Sequence, residues 1–138
     1  MIYKGYKIKV RCIDWEQVKV LDRYWSIITK YVDSKDIIGL GMNWTDDYLY
    51  FEYALGVIDN EKVLDKLKTI DFSNTEFNVK YVEMNLPNLN EWESFTGKEK
   101  DIKRIYEDEI DCYNRPYDYE LEYIDNGNIE VKIHFLDS

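Results

Sequence analysis

The feature that most constrains this chain is a change of period that occurs twice in the same order. Tyr6, Ile8, Val10 and Cys12 alternate with basic and other residues, which is strand spacing. Trp15, Val18, Leu21, Trp25, Ile28 and Val32 then recur at helical spacing and predict a helix over about residues 15–33. Asp14 and Gln17 form a capping-box pattern at its start. Two strands follow, Ile37 to Trp44 and Tyr48 to Ile58, with Asp46-Asp47 turning between them. Asp59-Asn60 opens a short helix holding Val63, Leu64, Leu67 and Ile70.

The second half repeats the plan. Phe77 to Met84 alternates as a strand, and Trp92 to Phe95 is a short one ending at Thr96-Gly97. Thr96 with Glu99 offers a second capping box, and Ile102, Ile105, Tyr106, Ile110 and Tyr113 mark a helix over about residues 98–112. Tyr117 to Ile124 is a strand. Asn126-Gly127 supplies the positive φ values of a hairpin turn, and Ile129, Val131, Ile133 and Phe135 alternate along the last strand. Trp25 in the first helix corresponds to Tyr106 in the second.

The expectation is therefore an α+β fold. Two βαββ units, about residues 3–58 and 77–136, form an antiparallel sheet with helices on one side and a cleft between the halves. The chain has 138 residues and no Gly/Ser/Pro linker, which predicts one pseudo-symmetric domain over residues 1–138.

Charge and cysteine usage narrow the function classes. The formal net charge is −10, so the chain lacks the basic footprint of a nucleic-acid binder. It has two distant cysteines, Cys12 and Cys112, and one histidine, His134, which excludes the common zinc spacings. Neither a membrane span nor a signal peptide is legible, and a cytoplasmic location is expected. No metal, cofactor or catalytic set is expected.

Aromatic residues make up 16% of the chain, and carboxylates sit among them on strands. Glu52 shares a strand face with Tyr48 and Tyr50, and Glu120 and Glu122 share one face of a strand whose other face carries Tyr119, Leu121 and Tyr123. Aromatic walls with negative charge suit a lipophilic cation, held over the rings and neutralised by a carboxylate. Strand glutamates also commonly face solvent on an antiparallel sheet. Tyr119 and Glu120 can share a cleft only through a bulge. The candidate ligand-binding residues are Glu120 first and Glu52 second as anions, with Trp44, Tyr50, Trp92, Tyr119 and Tyr123 as walls. Gly39-x-Gly41 lacks the third glycine and the following helix of a dinucleotide loop, so a bend or bulge is expected there.

The run Met84-Asn85-Leu86-Pro87-Asn88-Leu89-Asn90-Glu91-Trp92-Glu93-Ser94-Phe95-Thr96-Gly97 resembles the GyrI-like family, also known as the AraC-type effector-binding domain. The shared pattern is an apolar-Pro segment, an aromatic, a Phe and a Gly before the second helix. Pro116-Tyr117-Asp118-Tyr119-Glu120-Leu121-Glu122-Tyr123 is similar to the strand after that helix, and Phe51-Glu52-Tyr53 to the family's central strand. The likeness spans about residues 3–136. It implies two βαββ-type units around a ligand cleft with aromatic walls and an acidic residue, for which Glu120 is the best match. Glu122 stands where an aromatic often follows.

Family members fused to DNA-binding domains bind lipophilic cationic drugs in transcription regulation. Stand-alone members bind small molecules, one of them inhibiting gyrase, and some relatives hydrolyse electrophilic natural products. The resemblance thus implies a stand-alone small-molecule binder for a hydrophobic or cationic ligand, without nucleic-acid or membrane binding of its own. The alternatives are a hydrolase using a pocket glutamate, or an acidic protein that acts on a DNA-handling partner such as gyrase or on a regulator.

Overall fold

A computed structural model describes residues 1–136. The elements are β1 (Ile2–Arg11), α1 (Gln17–Ile28), β2 (Ile38–Met42), β3 (Tyr50–Ile58), α2 (Glu61–Lys68), β4 (Lys80–Asn85), β5 (Glu93–Lys98), α3 (Ile102–Arg104), β6 (Tyr117–Asp125) and β7 (Asn128–Phe135). The seven strands form one antiparallel sheet in the order β4-β1-β3-β2-β6-β7-β5. The fold is α+β, with the helices on one face. Among the described residues no helix is long and apolar enough to cross a membrane.

The duplication is visible in the strand order. β1-β3-β2 in one half mirrors β5-β7-β6 in the other, and the halves join where β2 pairs with β6. Leu40 opposes Leu121 at that join. Gly39 and Gly41 flank the first leucine as Glu120 and Glu122 flank the second, and Trp25 and Tyr106 stand equally far before them. β4 lies outside the repeat and extends the sheet beyond β1.

Local chemistry explains several elements. Asn60 caps α2 by accepting a hydrogen bond from the Val63 N–H at 3.2 Å, and Lys66 and Lys68 sit at the helix's negative end. Asn126 and Gly127 turn the last hairpin with φ of 51° and 78°.

Neither expected capping box forms. Asp14 and Trp15 adopt left-handed backbone, φ 50° and 63°, and α1 starts only at Gln17. Trp15 is thereby turned across to the second half, where it packs beside Ile105 and Ile110 and donates a hydrogen bond to the Tyr113 hydroxyl at 3.2 Å. β5 runs on through Gly97 to Lys98, so Thr96 is a strand residue. The helix expected over 98–112 is three pieces: a 3-10 turn Glu99–Asp101, the single turn α3, and a π-helix Ile105–Ile110. The π-helix ends on Asp111, whose backbone is left-handed and whose N–H bonds back to the Tyr106 carbonyl.

Opposed residues share a face of the sheet, so register assigns every side chain. One row on the helix face runs Ile8, Tyr53, Gly41, Glu120, Ile133; the next runs Tyr6, Leu55, Gly39, Glu122, Val131. α1 and α2 cover the first half of this face through Tyr24, Ile28, Leu64 and Leu67. The π-helix covers the second half through Ile105, Tyr106 and Ile110.

The opposite face is closed by the connection between the halves. β4 and β5 are the two edges of the sheet, yet only the segment from Leu86 to Trp92 links them. A flat seven-stranded sheet would set its edges about 29 Å apart at 4.8 Å per strand. The eight steps from Asn85 to Glu93 reach that far only if fully extended, and they include a 3-10 turn, Leu89–Glu91. The sheet therefore curls around this strap. Leu86 and Trp92 are buried in it against Leu40, Met42, Ala54 and Leu121.

Candidate functional site

The junction of the halves buries two carboxylates. Glu120 is 6% exposed and Glu122 is 4% exposed, the only charged side chains buried in the described core. Both lie on the helix face because β6 alternates. The facing strand makes room for them. A methyl group on Gly41 would stand 2.6 Å from Glu120 Cγ, and one on Gly39 would stand 2.8 Å from Tyr53 Cζ. Gly39 and Gly41 lie in regular pairing and not in the expected bend or bulge; their lack of side chains is what the site uses.

Aromatic residues close around the pair. Tyr53 donates a hydrogen bond to Glu122 Oε1 at 2.8 Å and accepts one from Trp25 Nε1 at 3.0 Å. Tyr117 donates to Glu120 Oε2 at 3.2 Å. Tyr106, on the π-helix, is 7% exposed and turns its hydroxyl toward both carboxylates, with no hydrogen bond of full length and angle. Trp44 stacks on Phe51 at 5.4 Å and meets Tyr117, the hydroxyl donor to Glu120, edge-on at 5.2 Å.

Electrostatics follow from this burial. None of the ion pairs among the described residues involves Glu120 or Glu122. Desolvation pushes the Glu120 carboxyl well above the usual range, and the neighbouring Glu122 charge pushes it further. Burial also raises Glu122; the Tyr53 hydrogen bond and the nearby Tyr106 hydroxyl oppose this, and the charges of Glu99 and Asp22 add to it. The two titrate as a pair. Burial, followed by the Glu120 charge, pushes the Cys12 and Cys112 thiols up to about 11, so both stay protonated and unreactive at neutral pH. No cluster of His, Cys, Asp and Glu among the described residues could hold a metal ion.

The sequence-predicted residues divide between two faces. Glu120 and Trp44 both lie on the helix face, each touched by Tyr117. Glu52, Tyr119 and Tyr123 lie on the strap face, where Trp92 stacks with Tyr119 at 6.2 Å. Glu52 pairs with Lys7 at 2.7 Å and accepts from Asn43 at 2.7 Å. Partial burial raises its pKa, but these two partners outweigh that and hold it below the usual range. Tyr50 lies under Lys9, whose Nζ is 4.8 Å from the ring centre.

A bulge does form in β6, at Asp118. It carries Tyr117, not Tyr119, onto the face of Glu120, and frees Asp118 to meet His134 Nδ1 at 2.7 Å. Tyr53, Tyr106, Tyr117, Trp25 and the two glycines were not in the predicted set. Their one legible signal is complementary spacing, Gly-x-Gly against Glu-x-Glu.

Two open surface depressions lie away from the pair. One, of about 270 Å³, is beside Lys4, Asn60 and Glu61; the other, of about 690 Å³, is beside Lys98, Tyr123 and Asn128.

Neither a family model nor a curated protein matches the chain. Among solved structures it is similar to SAV2435 bound to tetraphenylphosphonium, with 10% identity, 99% of this chain and 90% of that chain covered, and a TM-score of 0.49. It is similar to a protein of Staphylococcus aureus MU50, with 11% identity, 97% and 92% covered, and a TM-score of 0.48. Protein BT0572 from Bacteroides thetaiotaomicron gives 12% identity, 99% and 81% covered, and a TM-score of 0.29.

Proposed function

We propose that this chain binds a lipophilic, positively charged small molecule between its two halves, with Glu120 as the principal anion. The observation that carries the reading is a buried carboxylate pair with aromatic neighbours and no ion-pair partner among the described residues. Tyrosine hydroxyls can solvate a buried carboxylate but cannot cancel its charge, so without a cation the pair holds protons instead. A cation whose flat groups lie against Trp44, Tyr117 and Tyr53 supplies the missing charge and gains cation–π attraction. Tyr117 and Trp44 are half-buried and form the side through which such a ligand would enter. The GyrI-like resemblance of residues 84–97 and 116–123 points the same way.

The test is a thermal-shift screen of lipophilic cations against neutral aromatics. A ligand at 100 times its Kd adds about 2.7 kcal/mol, on the order of 10 °C for a domain of this size. E120Q is expected to weaken cation binding at least tenfold while the protein stays folded, since removing one partner of a buried charge pair costs about 2–5 kcal/mol. Equal shifts from neutral aromatics, or an unchanged E120Q, would sink the reading.

The raised carboxyl pKa values favour one second reading, a hydrolase in which Glu120 transfers a proton near neutral pH. That reading predicts product from an electrophilic substrate with a bell-shaped pH profile, lost in E120Q. Stoichiometric binding without product would exclude it.

A further inference from the structure

We propose that the site takes a ligand with two positive charges, one facing Glu120 and one facing Glu122. This rests on the cation-binding reading above and adds the valence of the ligand. Alternate residues of a strand stand about 7 Å apart, so the two carboxylates leave β6 at two separate points of one face. Each has its own opposed glycine, Gly41 for Glu120 and Gly39 for Glu122. Each also has its own hydroxyl donor, Tyr117 for Glu120 and Tyr53 for Glu122.

A third hydroxyl, on Tyr106, is buried and bears on both carboxylates, with no hydrogen bond of full length and angle to either. It marks a polar position that the chain's own side chains leave unsatisfied. The other charges acting on the pair are negative as well: Asp22 from α1 and Glu99 from the turn before α3 both bear on Glu122. One cation at Glu120 leaves Glu122 dependent on a proton. Two charge centres at strand spacing neutralise both carboxylates at once.

Calorimetric titration with 1,4-bis(trimethylammoniomethyl)benzene, benzyltrimethylammonium and decamethonium tests this in wild type, E120Q and E122Q. The first probe carries its charges roughly 7 Å apart, matching alternate strand residues. Decamethonium carries the same charge on a much longer spacer, so it controls for the chain's overall acidity. The compact dication is expected to bind at least tenfold more tightly than the monocation and than decamethonium. Each glutamine substitution should erase that advantage, with thermal unfolding confirming the fold. Should a variant fail to fold, the three-probe ranking on wild type still decides. Equal binding of the two benzyl probes, or an equal gain for decamethonium, would overturn the two-charge inference and leave the cation reading standing. Binding by none of them would overturn both.

Discussion

At the residue scale the site is an exchange of side chains between two strands: glycines on β2 give up volume that glutamates and a tyrosine take. G41A is therefore expected to force Glu120 aside. Overpacking of this kind costs about 1–3 kcal/mol, measurable by urea unfolding, and should weaken cation binding together with stability. The pH dependence follows from the carboxyl pair. Both folded-state pKa values lie above the unfolded value of about 4.3, so the folded protein binds more protons than the unfolded chain between those limits. The pair's stabilising contribution is full below the unfolded value and is lost as pH rises through the folded values. Stability should thus fall between pH 5 and pH 9, by up to about 1.4 kcal/mol per pH unit for each proton lost, and E120Q should flatten that slope. Glu120 and its Glu122 alternative were legible from strand alternation. Tyr53 was not, because reaching Glu122 depends on β2 lying between β3 and β6, a pairing that no local pattern states.

At the element scale two irregularities aim the tyrosines. The bulge at Asp118 rotates Tyr117 toward Glu120, and the π-helix sets Tyr106 over the pair. A period-2 reading keeps Tyr117 with Tyr119, and a period-3.6 reading draws an α-helix through Tyr106. Each misses the single extra residue that changes the direction. The strands were otherwise legible, because their apolar faces are buried and fix the register. Deleting Asp118 should restore alternation, return Tyr117 to the strap face and abolish the thermal shift given by cations. Tyr117→Phe, which keeps the ring and loses only the hydroxyl, should reduce that shift without abolishing it. Persistence of the full shift in the deletion would remove the bulge from the account.

At the scale of the whole molecule, the duplication puts the site on the pseudo-two-fold axis, and the strap from Leu86 to Trp92 holds the sheet curled behind it. Trp92→Ala should cost about 3–5 kcal/mol in urea unfolding, as large aromatic truncations in cores do. Because Trp92 lies on the other face, the variant should keep its cation affinity at temperatures where it is folded. The two-unit plan was legible in the order of periods. The strap was not, since its reach matters only once β4 and β5 are known to be opposite edges. At every scale the proposed binding is an exchange in which a cation replaces protons on a buried carboxylate pair. Calorimetry with methyltriphenylphosphonium in buffers of differing ionisation enthalpy measures this directly, with neutral triphenylphosphine oxide as control. The account predicts proton release on binding, affinity that rises from pH 6 to pH 9, and at least a tenfold loss in E120Q. Binding of the phosphonium with no proton release, or equal binding of the neutral oxide, would contradict it.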